Sequence, residues 1–160
     1  MNRDRRFARL HRFLRRVGTH PLAVILIAFA ALVVMHNAAT PVYEAPDEIW
    51  HDAYVRWLVR TGTFPPQDDD RSEAYQQVTQ PPLYYLAAAL VRAPFPDDDL
   101  SDLRRHNPGF GTQAPGTLPD NKNMLIHTEA EAWPWRGAAL AIHATRFTSL
   151  GFGLLTLVGV

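Results

Sequence analysis

The feature that most constrains this chain is an apolar stretch close to its start, at residues 17–39, with the sequence VGTHPLAVILIAFAALVVMHNAA. Its core at residues 21–35 contains no charged side chain. With its weakly polar flanks, the stretch reaches the roughly 20 residues that an α-helix needs to cross a bilayer. It therefore predicts a first transmembrane helix at residues 17–39. A secretory signal peptide is the alternative, although the small-residue cleavage pattern at residues 37–39 is poor.

Charge is distributed unevenly on the two sides of this stretch. Residues 1–20 contain seven arginines and one aspartate, whereas residues 41–137 contain fifteen acidic and eight basic side chains. A basic flank on the cytoplasmic side is typical of multi-pass proteins of the inner membrane. We expect residues 1–20 to form a cytoplasmic basic head and residues 40–136 an external loop. Nucleic-acid binding by the arginines is the alternative, and we expect no nucleic-acid partner.

The first part of the external loop predicts an amphipathic helix at residues 46–61. Pro46 suits a first helical position, and Gly62 suits the position after the last turn. Apolar and aromatic side chains recur at spacings of three and four residues, as on one helix face. That face would contain Trp50, Ala53, Tyr54, Trp57 and Leu58, with Asp52, Arg56 and Arg60 on or near the opposite side. Because tryptophan and tyrosine favour the boundary of a membrane, we expect the helix to lie on its surface.

The rest of the loop predicts one more helix between two polar segments. Residues 63–80 are rich in proline and acid and predict a surface loop. Residues 81–93 open with a proline pair and end before another proline, so they predict a short helix that is either interfacial or part of a core. Residues 95–131 have turn formers every few positions and predict a loop. The aspartates at residues 97–99 lack the spacing and glycine of a calcium loop and predict a solvated turn.

The last apolar region, residues 137–160, predicts an interfacial helix that continues into a second transmembrane helix. Trp133 and Trp135 precede it, as in an aromatic belt at a membrane boundary. The apolar tract runs to Val160, so we expect the sequence to be the N-terminal piece of a longer multi-pass protein. An isolated pair of membrane helices is the alternative. The fold class predicted is an all-α membrane protein with two transmembrane helices joined by a long external loop carrying short interfacial amphipathic helices.

Several polar residues near the predicted membrane boundary are candidates for chemistry. Asp47 and Glu48 could act as a general base, or they could only complement the dipole of the helix that they begin. His51 lies one helical turn after Asp47 and could orient a proton or, with that carboxylate, contact a metal, although two ligands do not make a site. No cysteine is present, which excludes disulfides and thiolate zinc sites.

The arginines of the external half could hold a phosphate, and we expect most of them to be surface charges. Arg146 is the exception, because it stands between two apolar tracts. It must find a phosphate, a carboxylate or water, or else extend its charged end to the membrane boundary.

The order of these motifs resembles the N-terminal part of the membrane-embedded GT-C glycosyltransferases. The similar motifs are APDE in an amphipathic helix, QPPLYYLAAAL, PDNKN and PWRGAALAIHATRFTSLGFGLLT. The group that they resemble most is the family 39-like bacterial enzymes, related to protein O-mannosyltransferases and aminoarabinose transferases. The resemblance implies a polytopic GT-C fold and inverting transfer of a sugar from a polyprenyl-phosphate donor.

The resemblance also implies roles for individual residues. Asp47 matches the family's acidic residue that activates the acceptor, with Glu48 beside it. The resemblance places a phosphate contact at Gln80, and we expect His51, Tyr84 and Arg146 to contact substrate as well. Gln80 stands where the family often has a lysine, which removes one positive charge from the expected phosphate contact. The implied partners are membrane lipids, the polyprenyl-phosphate sugar donor and a glycan, lipid or protein acceptor.

Other functions are compatible with the residues. A non-catalytic membrane scaffold or sensor with an acidic partner-binding loop is one, and a transporter or ligase component for lipid-linked sugars is another. The sequence requires no cofactor and leaves a divalent metal open.

Overall fold

A computed structural model of the chain describes residues 20–67, 72–97, 99–110 and 123–160. Within these ranges the chain forms four α-helices, which are α1 (Pro21–Ala39), α2 (Glu48–Thr61), α3 (Pro82–Arg92) and α4 (Gly137–Gly159). Three 3-10 helices cover Tyr75–Thr79, Leu100–Leu103 and Glu129–Glu131. The described residues contain no β-strand, and His106 and Leu125 form an isolated antiparallel bridge. The prediction of an all-helical chain is confirmed for the part that the structure describes.

Helices α1 and α4 are long and apolar enough to cross a membrane, with mean hydropathies of 2.3 and 1.2 over their most apolar windows. Only 6% of that window in α1 is buried by protein, whereas a core helix of a soluble protein would be mostly covered. Both helices coincide with the predicted spans, although residues 17–19 of the first lie outside the described residues. The cytoplasmic head at residues 1–20 lies outside them too, except for His20.

The chain divides into two compact units, one containing residues up to His36 together with Ser149–Val160, and the other formed by Asn37–Thr148. In the first unit, the Phe29 ring occupies the space that a Cβ on Gly153 would need. Glycine at that position therefore lets α1 and α4 approach each other closely within this unit.

The Asn37–Thr148 unit has two hydrophobic clusters. One joins the chain after α1 to the start of α4 and is built from Val42, Tyr43, Leu100, Leu103, Leu125, Ala138, Ala139 and Ile142. The other joins α2 to α3 and to the 3-10 helix Tyr75–Thr79 and is built from Ala53, Tyr54, Val55, Leu58, Ala74, Val78, Tyr85 and Ala88. Burying apolar side chains of this size stabilises a fold by about 1.5–3 kcal/mol each.

The apolar face of α2 meets protein in this cluster. Ala53, Tyr54 and Leu58 are buried, and the ring of Tyr54 stacks on Tyr85 of α3 with centroids 3.9 Å apart. The prediction that this face lies on a membrane surface is therefore wrong for these three side chains. The predicted start at Pro46 is also wrong, because the helix begins at Glu48.

Asp52 and Arg56, which were expected on or near the side of α2 opposite its apolar face, are both buried. Both side chains are 4% exposed and form an ion pair, with Arg56 Nε 2.9 Å from Asp52 Oδ2. The buried hydroxyl of Tyr43 donates to the same carboxylate oxygen at 2.7 Å, and Arg56 also bonds Glu73 at 3.0 Å. Burial chiefly raises the pKa of Tyr43, with the Asp52 charge adding to the effect, so this hydroxyl stays protonated. A buried ion pair needs further hydrogen bonds, and here they go to Asp52 Oδ2, whereas Asp52 Oδ1 has no hydrogen-bond partner among the described residues.

Two more predictions about the loop need correction. Residues 63–80 contain the 3-10 helix Tyr75–Thr79, and Ala74, Gln77 and Val78 are buried rather than at the surface. Arg92 was expected to be a surface charge, yet it is 1% exposed and paired with Asp97.

The second predicted helix, at residues 81–93, is observed as Pro82–Arg92. At residues 97–99, for which the sequence predicted a solvated turn rather than a calcium loop, the Asp99 carboxylate accepts a hydrogen bond from the Ala138 N–H at the start of α4. Residue 98 lies outside the described residues.

Candidate functional site

The guanidinium of Arg146 is fully satisfied by hydrogen bonds inside the Asn37–Thr148 unit. Nε and Nη2 donate to the two carboxylate oxygens of Glu48 at 2.5 and 2.7 Å. The remaining N–H groups donate to the backbone carbonyls of Asn37, Thr40 and Pro41, at 3.1, 2.7 and 2.8 Å. An arginine has five N–H donors, and five acceptors surround this one. Of the partners that the sequence left open, Arg146 therefore has a carboxylate, and no donor remains for a phosphate.

Glu48 is equally occupied. Besides both bonds from Arg146, its Oε2 accepts the backbone N–H of Tyr43 at 2.8 Å, and its side chain is 12% exposed. Tyr43 has a positive φ of 65°, a conformation that costs a non-glycine residue energy and needs fixing contacts. The carboxylate of Glu48 thus holds the chain between α1 and α2 in place, and it is not free to take a proton from a substrate.

Asn37 and His143 hold the same region from the other side. The Asn37 amide donates to the His143 carbonyl at 3.0 Å, and its oxygen lies 2.8 Å from His143 Nδ1. Trp135 stacks on the His143 ring, with centroids 3.7 Å apart. Asn37 could not be selected from the sequence, because a lone amide at the end of an apolar helix has no local pattern.

Asp47 differs from the adjacent Glu48 in its exposure and in its side-chain hydrogen bonds. It is exposed, has a left-handed φ of 59°, and its side chain makes no capping hydrogen bond to α2. Its backbone is fixed, since its carbonyl accepts the N–H groups of Trp50 and His51 at 3.0 and 3.1 Å. Asp47 stands at the start of α2, so the interaction with the helix dipole that the sequence predicted as an alternative is retained beside any other role. A carboxylate with a fixed backbone and open access can reach an incoming ligand.

An open cavity of about 620 Å³ lies beside Asp47. It is bounded by the beginning of α2 and by the 3-10 helix Tyr75–Thr79, and the described residues that line it are Asp47, His51, Gln76, Gln77, Thr79 and Gln80. We call it the Asp47 cavity. Three residues selected from the sequence, Asp47, His51 and Gln80, meet here. Gln76, Gln77 and Thr79 were not selected from the sequence, because the run YQQVTQ at residues 75–80 predicted a surface loop.

His51 connects this cavity to the aromatic side chains of α3. Its Nδ1 shares a hydrogen bond of 2.7 Å with the Tyr85 hydroxyl. Burial lowers the pKa of His51 below its usual value, although the charges of Asp47 and Glu48 oppose the shift. The imidazole is therefore neutral near pH 7 and can both donate and accept. Tyr84, selected from the sequence as a substrate contact, packs edge-on against Tyr85 with centroids 5.7 Å apart.

The six predicted site residues thus fall into separate groups. Asp47, His51 and Gln80 line the Asp47 cavity, Glu48 and Arg146 form an ion pair, and Tyr84 belongs to the aromatic contacts of α3. Within the ranges that the structure describes, no group of three or more histidine, aspartate or glutamate side chains could hold a metal ion.

A second polar cluster links Glu44 to the segment before α4. Glu44 accepts the backbone N–H groups of Met124 and Leu125, each at 3.0 Å, and lies 2.9 Å from His127 Nε2. The other ring nitrogen of His127 lies 2.7 Å from Glu131. Burial raises the pKa of Glu44, but the two N–H groups and His127 outweigh it and hold this pKa below its usual range.

Glu44 should therefore stabilise the fold in a pH-dependent way. A carboxylate whose pKa is depressed on folding contributes stability above its unfolded pKa and loses it as the pH falls through the folded value. We expect Glu44→Gln to lower the free energy of unfolding by about 1.5–3 kcal/mol at pH 7, and the difference from the parent to shrink as the pH falls below the usual range of a carboxylate. Thermal unfolding in detergent at a series of pH values measures this. The exposed Glu129, changed to glutamine, is the charge-matched control, and a deficit that stays constant with pH would contradict the prediction.

Comparison with protein-family models, curated proteins and solved structures finds no significant match for this chain. The resemblance to the GT-C enzymes therefore rests on the short motifs themselves. Most of the PDNKN motif, residues 119–122, lies outside the described residues.

Proposed function

We propose that this chain is the N-terminal part of an inverting GT-C glycosyltransferase, which transfers a sugar from a polyprenyl-phosphate donor to an acceptor outside the cytoplasm. The observation that carries the proposal is the arrangement at Asp47. An exposed carboxylate with a fixed backbone, and with no hydrogen bond or ion pair among the described residues, faces a polar cavity, while the adjacent Glu48 is occupied by Arg146 and Tyr43. The two carboxylates of the APDE motif therefore have different roles.

The chemistry proposed for Asp47 is general base catalysis. Asp47 would accept the proton of an acceptor hydroxyl as the acceptor oxygen bonds to the anomeric carbon of the donor sugar. The bond from that carbon to the phosphate oxygen breaks at the same time, and the polyprenyl phosphate leaves with the electron pair. Attack from the face opposite the phosphate inverts the anomeric centre. His51, neutral and bonded to Tyr85, would orient the acceptor beside Asp47.

The proposed donor explains why such a site belongs to a membrane protein. A long hydrocarbon tail keeps the donor in the bilayer, and its phosphate stays at the surface. Helices α1 and α4 have the length and composition to place this chain in the same bilayer. We propose the inner membrane of a bacterial cell as the location, with the N-terminus in the cytoplasm and Asn37–Thr148 outside. Because Arg146 has no free donor, the donor phosphate would be bound by other residues.

The direct test of the function is sugar transfer. Membranes containing the whole protein should incorporate labelled sugar from polyprenyl-phosphate donors into an external acceptor, and membranes from cells lacking the gene should not. A scaffold or sensor would give equal incorporation in both preparations. Addition of a metal chelator to the same assay tests whether a divalent ion is needed.

The topology gives a separate prediction. Residue 5 should be cytoplasmic and residue 101 external, because the basic segment precedes α1 and the acidic segment follows it. Arg5→Cys and Ser101→Cys can each serve as the single reporter thiol, since these 160 residues contain no cysteine. A thiol reagent that cannot cross membranes should label the second on intact cells and the first only after lysis. Labelling of the first on intact cells would reverse the orientation.

A further inference from the structure

The chemistry of the Asp47 cavity restricts what it can bind. At about 620 Å³ it falls within the roughly 300–1,000 Å³ that is typical of small-molecule sites. Its described lining consists of one carboxylate, one imidazole, one hydroxyl and three amides, namely Asp47, His51, Thr79, Gln76, Gln77 and Gln80. Amides and hydroxyls both donate and accept hydrogen bonds, as the hydroxyl groups of a saccharide do.

Gln77 supplies an independent observation. Its side chain belongs to the wall of the cavity but is 3% exposed, and its amide oxygen has no hydrogen-bond partner among the described residues. Leaving a buried acceptor without a donor costs about 1–3 kcal/mol. The oxygen itself is buried, so a ligand hydroxyl in the cavity would donate to it after the Gln77 side chain turns toward the cavity, and the new bond would remove that cost. The unsatisfied amide therefore points to a ligand with an O–H or N–H donor.

Other ligand classes fit this lining less well. Among its described residues no lysine or arginine is present to neutralise a phosphate, and the charge of Asp47 would repel one. The depressed pKa of His51 leaves the imidazole without a positive charge near neutral pH. A hydrocarbon chain would meet polar groups on every described side, and a nucleobase would find no aromatic ring among them on which to stack.

We propose that the Asp47 cavity binds an uncharged saccharide, the sugar of a glycan acceptor, and that Gln77 accepts a hydrogen bond from one of its hydroxyls. This inference rests on the proposed glycosyltransferase function and narrows its acceptor to a carbohydrate. The acceptor sugar lies beside Asp47, the group that takes its proton. The phosphate of the donor lies outside this cavity.

Binding of free sugars tests the proposal without any transfer reaction. The whole protein in lipid nanodiscs is titrated with methyl glycosides of common hexoses and pentoses, and binding is followed by saturation-transfer NMR. We expect at least one neutral glycoside to bind at millimolar concentration. Gln77→Leu should weaken that binding about tenfold, the loss expected for one hydrogen bond to a buried group. Inorganic phosphate should not displace the glycoside.

Two further variants keep the test decisive. Gln67→Leu makes the same substitution at an exposed glutamine outside the described lining and should bind like the parent. Thr79→Val removes a hydroxyl from an exposed position of the cavity with little change of shape, so it replaces Gln77→Leu if that variant does not fold, and it should weaken binding several-fold. No binding of any glycoside, displacement by phosphate, or parental affinity in both cavity variants would overturn the proposal.

The transfer assay on the same preparation separates this inference from the function on which it rests. Glycoside binding that depends on Gln77, without sugar transfer from a polyprenyl phosphate, rejects the glycosyltransferase and retains the saccharide site. Transfer without glycoside binding rejects the saccharide site and retains the glycosyltransferase.

Discussion

Replacing Asp47 with asparagine should lower the kcat of sugar transfer by about 100- to 10,000-fold, the usual contribution of a positioned general base. Asparagine has nearly the same size as aspartate and also tolerates a left-handed backbone, so the φ of 59° and the first turn of α2 should be kept. The amide cannot accept the proton of an acceptor hydroxyl. The protein should therefore accumulate in the membrane and bind both substrates, yet turn over very slowly.

The measurement is transfer by the purified whole protein, saturated with donor and acceptor. Asp102→Asn is the matched control, because Asp102 is also exposed and lies in the 3-10 helix Leu100–Leu103, outside the described lining of the cavity. It should leave kcat unchanged. Turnover close to that of the parent in Asp47→Asn would remove Asp47 from the chemistry.

The long helices and α3 could be predicted because their determinants are local. An apolar run of sufficient length predicts a span, and the proline pair at residues 81–82 together with the proline at residue 94 limits α3 from both ends. The burial of the polar side chains of α2 could not be predicted in this way. Asp52 and Arg56 are buried where Tyr43 and Glu73, from other segments, supply hydrogen-bond partners. Spacing along one helix gives no information about such partners.

The candidate site, too, could be predicted from the sequence only in part. The APDE motif drew attention to Asp47 and Glu48, but only the structure separates an open carboxylate from one that is bonded to Arg146, 98 residues away. Arg146 could be selected as unusual from its apolar neighbours, whereas its carboxylate partner could not. Gln77 was missed because a buried glutamine within a polar run looks like any loop residue until the 3-10 helix and α2 bring it to the cavity wall.

Replacing Arg146 with leucine should cost about 1.5–3 kcal/mol of folding stability, because it removes charge-assisted hydrogen bonds from a part-buried ion pair. Glu48 would keep its charge at 12% exposure, and three backbone carbonyls would lose their donors. Arg146→Lys should lie in between, since an ammonium has three donors and cannot form the two-pronged contact with Glu48.

The double variant Glu48→Gln with Arg146→Leu provides the deciding measurement, because it removes the charge that the single change leaves unpaired. Its loss of stability should be smaller than the sum of the two single losses, by about 1–3 kcal/mol for residues in direct contact. Arg136→Leu, one residue before α4 and exposed, is the control and should unfold like the parent. If Arg146→Leu also unfolded like the parent, or if the two single losses were additive, the ion pair would not be what holds residues 37–48 in place. The position of Asp47 would then depend on the first turn of α2 alone, whose N–H groups bond the Asp47 carbonyl.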